Sequence, residues 1–120
     1  TAITPISAPP SARTEQAGEL LAQIALLANG GHSEQARAAC QRYLKQFEPS
    51  AQVFYWLGLL SDTAGDSADA ISQYRKALYL EPQHPEALVH LAALLASQGD
   101  AVGARRLQER AARREREADR

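Results

Sequence analysis

The chain lacks methionine altogether, has one cysteine, and carries almost no excess of either charge: 13 basic and 14 acidic side chains among 120 residues give a formal net charge of −1. Each shortage excludes something. Translation begins with methionine, so its absence leads us to expect a segment cut from a longer product. A lone Cys40 forms no internal disulfide and is compatible with a reducing compartment. The balanced charge provides no whole-molecule attraction for nucleic acid or for anionic lipid. No run approaches the roughly 18 apolar residues of a membrane span, so membrane insertion is not expected. Residues 1–13 also lack the basic start and apolar centre of a secretory signal. They instead place Pro5, Pro9 and Pro10 among small residues, the composition of an extended linker.

Catalytic patterns are missing as well. His32, His84 and His90 have no spacing typical of zinc ligands, and Cys40 occupies a position in an apolar pattern, where a free thiol serves as a small buried hydrophobe. No strand leads into a glycine-rich phosphate loop, and Gly30-Gly31 reads as a turn between helices. Asp62, Asp66 and Asp69 resemble a carboxylate cluster only on paper, since Asp66 is required as a helix cap. We therefore expect no catalytic, cofactor-binding or metal-binding residue in this segment.

What is present is a period. Gly31, Gly65 and Gly99 are spaced by 34 residues, as are Ala36, Ala70 and Ala104. A repeat of this length marks stacked helical hairpins, each burying an apolar face against its neighbour. Apolar spacing predicts six helices, near 14–29, 33–46, 50–64, 67–80, 84–97 and 101–117. Ser33, Ser50, Asp66 and Asp100 are the expected N-caps, and Pro85 suits a first helical turn. The three periodic glycines are expected to supply a left-handed or tight conformation between paired helices.

Residues 51–84 carry the pattern most fully, with Phe54, Leu57 and Gly58 in one helix and Ala70, Tyr74, Ala77 and Pro82 in the next. This resembles the tetratricopeptide repeat. Gly58 and Ala70 are small enough to let two helices cross closely, while Phe54 and Tyr74 fill the space beside the crossing. The third copy keeps Leu88, Leu91, Ala92, Gly99, Ala104 and Ala111 but has Gln108 in place of an aromatic, as suits a capping repeat. In the first copy Leu21, Ile24 and Ala25 look one residue out of phase with Ala36, which predicts a shorter loop. The resemblance implies an all-α superhelix of three helix-turn-helix repeats, about 17–50, 51–84 and 85–117. A proline-rich linker over 1–13 would precede a repeat domain over 14–120.

In that family the first helix of each hairpin lines a concave groove that binds protein or peptide. Carried over by position, the wall would comprise Gln52, Tyr55, Trp56, Leu59 and Asp62, then Glu86, Val89, His90, Ala93 and Ala96. Trp56 either lines this groove or packs between repeats. The lysine, asparagine and arginine clamp of chaperone-tail binders is not matched, because the corresponding positions hold Leu21 or Ala22, Ala25 or Leu26, Trp56, Glu86 and His90. An apolar wall edged by Asp62 and Glu86 suits a segment with hydrophobic and basic side chains. Arg105, Arg106, Arg110, Arg113, Arg114 and Arg116, interleaved with Glu109, Glu115 and Glu117, form either a solvated face or a basic docking stripe.

The run Arg75-Lys76-Ala77-Leu78-Tyr79-Leu80-Glu81-Pro82, followed by His84-Pro85-Glu86-Ala87-Leu88, His90-Leu91-Ala92, Gly99-Asp100 and Gly103-Ala104-Arg105-Arg106-Leu107, is similar to the C-terminal repeat region of bacterial chemoreceptor methyltransferases. Some of these belong to chemosensory systems that control biofilm formation. The resemblance implies a cytoplasmic enzyme whose N-terminal part uses S-adenosylmethionine to methylate receptor glutamates. The repeats would then hold it near a chemoreceptor or another chemosensory signalling protein. An assembly adaptor of an export or pilus system is the alternative, and self-association through the apolar first helix is a further expectation.

Overall fold

The computed structural model describes residues 10–119, which form six α-helices: α1 (Pro10–Asn29), α2 (Ser33–Gln46), α3 (Ala51–Thr63), α4 (Ser67–Leu80), α5 (Pro85–Ser97) and α6 (Ala101–Ala118). Helix α1 starts four residues before the expected position, at a proline whose missing amide would have had no intrahelical partner anyway. The rest of the expected linker, residues 1–9, lies outside the described residues. The chain divides into two compact units, with α1 and α2 in the one ending at Glu48 and α3 to α6 in the one starting at Pro49. Within the first, α1 packs on α2; within the second, α3 packs on α4, α4 on α5 and α5 on α6.

The three hairpins turn by the same chemistry. Gly31, Gly65 and Gly99 have φ of 81°, 85° and 87°, a region that costs a side-chain-bearing residue heavily. In each turn the amide after the glycine reaches back across the helix end, His32 to Leu27, Asp66 to Ser61 and Asp100 to Leu95, all at 2.9 Å. This is the closure that satisfies carbonyls left over at a helix C-terminus.

Cap positions follow the 34-residue period too, with one correction. Asp66 and Asp100 accept from the amides of Asp69 and Gly103, and Ser50 accepts from Val53. Ser33, expected as a cap, is instead the first residue of α2. The cap is His32, which makes no side-chain cap bond. His32 stands one period before Asp66, so the capping position is kept while the carboxylate is not.

Helix crossing is set by a reciprocal pair. A Cβ on Gly58 would stand 2.5 Å from Cδ1 of Tyr74, so the wholly buried phenol ring occupies the volume that glycine leaves. One period earlier the equivalent residues are Ile24 and Cys40, both wholly buried, with the large side chain on the first helix and the small one on the second. This exchange makes the first copy look out of phase. The expected shorter loop is not there, because residues 30–32, 64–66 and 98–100 connect the helices with equal length. One period later the pair is Ala92 and Gln108, and both line an open pocket.

Two measurements check this reading. Gly65→Ala should lower stability by more than about 1 kcal/mol, because alanine must be held at positive φ. Gly58→Ile should be strongly destabilising, and combining it with Tyr74→Cys should cost less than the sum of the single changes in a double-mutant cycle read by chemical denaturation.

Candidate functional site

The wall expected from α3 and α5 divides into a buried network and an exposed strip. Tyr55 and Trp56, expected to present rigid aromatics to a ligand, are 7% and 8% exposed. Tyr55 lies at the centre of an aromatic cluster, with ring centroids 5.2 Å from Trp56, 6.2 Å from Tyr74, 5.4 Å from His84 and 5.7 Å from His90. Packing on several sides therefore consumes the surface that groove binding would need. Burial, followed by the charge of Glu86, pushes the Tyr55 phenol above its ordinary value.

Polar groups at the margin of this cluster are paired. The Tyr74 hydroxyl donates to Asp62 at 3.1 Å; burial, then the Asp62 charge and this hydrogen bond, push the phenol's ionisation far upward. His84 is buried and caps α5, its Nδ1 accepting from the Ala87 amide at 3.1 Å. Nδ1 is then the unprotonated nitrogen, and Nε2 donates to Oε1 of Gln52 at 2.8 Å. Thus Gln52 and Asp62, both half-buried, hold the cluster in register, and His90 covers it at 6.0 Å from the Tyr74 ring. Leu59 is half-buried, while Ala96 is exposed.

With Ala96, the expected wall residues that reach solvent are Glu86, Val89 and Ala93, Val89 with 59% of its surface exposed. Val89 and Ala93 line a pocket of about 340 Å³ between α5 and α6, together with Leu88, Ala92, Gln108, Ala111, Ala112 and Glu115. Sequence reasoning missed the α6 side of this site. Its signal was nevertheless present: Gln108, Ala111, Ala112 and Glu115 recur at helical spacing, and Gln108 stands where the neighbouring repeat has Tyr74. A small residue at position 92 faces no aromatic at 108, which leaves space at this end of the unit.

The chemistry available here is recognition: an apolar floor with a glutamate at the rim. Among the described residues, no group of histidine, cysteine and carboxylate side chains could hold a metal ion, and no helix is long and apolar enough to cross a membrane.

Family comparison agrees with the geometry. The tetratricopeptide repeat model matches residues 21–85 and again 62–119. The chain belongs to the tetratricopeptide repeat family. Similar curated proteins are the "Probable biofilm formation methyltransferase WspC" of Pseudomonas putida, 69% identical over 122 residues, and that of Pseudomonas aeruginosa, 67% identical over 91 residues. The matches take in 98% and 76% of this chain but 29% and 22% of those relatives, so the chain spans less than a third of their length. Among solved structures, PcrH in complex with the chaperone binding region of PopB superposes with a TM-score of 0.71 at 21% identity, covering 81% of this chain and 78% of PcrH. At that identity the likeness shows the repeat fold alone.

Two outcomes test the site description. Trp56→Ala should destabilise the unit by about 3–5 kcal/mol, as for truncation of a buried aromatic, and its thermal midpoint should fall accordingly. Burial pushes the Cys40 thiol from its ordinary value near 9.0 up to about 11, with Arg37 opposing weakly. The folded chain thus holds this proton more tightly than the unfolded chain. Stability should be unaffected by Cys40 below pH 9, fall as pH rises from about 9 to about 11, and lose nothing further from this group above that. A Cys40→Ala variant should lack this contribution in denaturation curves taken across the range.

Proposed function

We propose that this chain is the protein-docking module of a longer, S-adenosylmethionine-dependent methyltransferase that modifies glutamates of a chemoreceptor. In this reading the module works in the cytoplasm and binds the receptor or a signalling protein beside it. The carrying observation is the 69% identity to a named methyltransferase across nearly the whole of this chain but only 29% of that relative. The remainder of such a protein supplies room for the catalytic part and its cofactor. Tethering raises the local concentration of enzyme at its substrate without altering the chemical step.

The docking face we assign is the exposed strip of α5, Glu86, Val89 and Ala93, continued by the α6 side of the pocket at Ala111, Ala112 and Glu115. Tyr55 and Trp56 support it from beneath. Small apolar side chains on both walls and glutamates at the edges suit a segment with apolar and basic side chains. The PcrH complex supports the mode of use, since there the same fold holds a segment of another protein. A fold shared with a protein that holds another protein's chaperone binding region leaves a non-enzymatic assembly adaptor as the second reading. The much higher identity to the methyltransferases favours the first.

The test uses the full-length protein in cells. Removing the module should lower receptor methylation while the remaining part stays active on concentrated receptor in vitro; unchanged cellular methylation would overturn the reading. Val89→Asp, which places a charge on the pocket wall without touching the buried cluster, should reproduce most of the cellular loss with the thermal midpoint nearly unchanged.

A further inference from the structure

On the other flank of α6 the side chains change character. At 100° per residue, Gln108 and Ala112 occupy one flank of the helix and Arg106 and Arg110 the other. These two arginines meet Arg75 of α4 in a pocket of about 310 Å³ whose lining also includes Leu95, Asp100 and Leu107. Arg75 and Arg106 are exposed and Arg110 is half-buried. Among the described residues none of the three forms an ion pair. Arg110 donates to the Pro82 carbonyl, which fixes its guanidinium against the turn between α4 and α5. Asp100, the one acidic side chain in the lining, already accepts from the Gly103 amide at 2.9 Å.

Three guanidinium groups and one carboxylate leave a local excess of positive charge in a chain whose total is −1. Arg106 and Arg110 also stand four residues apart, a spacing at which like charges on a helix repel. An arrangement of this kind is relieved by an anion, and the planar guanidinium fork matches a carboxylate with two parallel hydrogen bonds. Leu95 and Leu107, both buried beneath the arginines, offer an apolar floor to the methylene stem of a glutamate. No aromatic side chain lines the pocket, so there is nothing for a nucleobase to stack upon.

We propose that this pocket binds an acidic peptide segment of a partner protein, with glutamate carboxylates held by Arg75, Arg106 and Arg110. The site is separate from the apolar pocket and does not depend on the methyltransferase reading. The second compact unit then offers two recognition surfaces, apolar with an acidic rim on one flank of α6 and basic on the other.

A fluorescein-labelled hexaglutamate peptide, with its hexaglutamine counterpart as reference, tests this by anisotropy on the whole chain at about 50 mM salt, where surface charges are only partly screened. The glutamate peptide should bind and the glutamine peptide should not; equal binding, or none by either, would overturn the proposal. Arg75→Gln combined with Arg106→Gln, which removes no hydrogen bond within the fold, should weaken binding by about tenfold or more. Arg105→Gln combined with Arg116→Gln makes the same change in net charge elsewhere on α6 and should alter affinity by less than about twofold. Equal weakening by the two pairs would show diffuse attraction only and reject the pocket. Inorganic phosphate should compete weakly, and full displacement of the peptide by an equal concentration of phosphate would make this a small-anion site and reject the peptide.

Discussion

Close approach of two helices at a position where one contributes almost no side chain is the constraint on which the second unit depends. Gly58 admits the ring of Tyr74, and the ring in turn anchors Tyr55, His90 and Asp62. Because interiors are close-packed, the volume given up by one member of such a pair must be taken by the other. Ile24 with Cys40 satisfies the same requirement with the sizes exchanged, and Ala92 with Gln108 does not satisfy it. The third hairpin is left with a pocket where its predecessor has a filled core.

That unfilled volume links fold to function. In a solenoid each repeat covers the apolar face of its neighbour, and α6 presents two kinds of surface. Charged residues dominate the solvent side of α6, while small apolar residues remain on the side toward α5. On the proposed reading, the apolar side chains of a docked polypeptide segment complete the packing there.

Much of the fold was legible from residue types at fixed spacing. Glycines 34 residues apart announced three turns, which the structure shows at positive φ, and aspartates one position after two of them announced caps, because turn and cap chemistry is local. The first repeat misled for an instructive reason: position-by-position comparison assumes that each site keeps its residue size, whereas packing conserves only the sum across a crossing. His84 hid for a similar reason. An imidazole can cap a helix as Ser50 does one period earlier, but it can do so here only because Gln52 accepts its second nitrogen's proton.

The amino-acid sequence alone determined the all-α class and the places where the three hairpins turn, since helical period and turn chemistry act over a few residues. Tertiary structure alone decided which wall residues reach solvent. Helical periodicity shows which stripe of α3 is apolar but not how many neighbours will close over its edges. Tyr55 and Trp56 became interior supports once α4 and α5 were in place, and Val89 stayed outside because the next helix, α6, leaves a gap beside it.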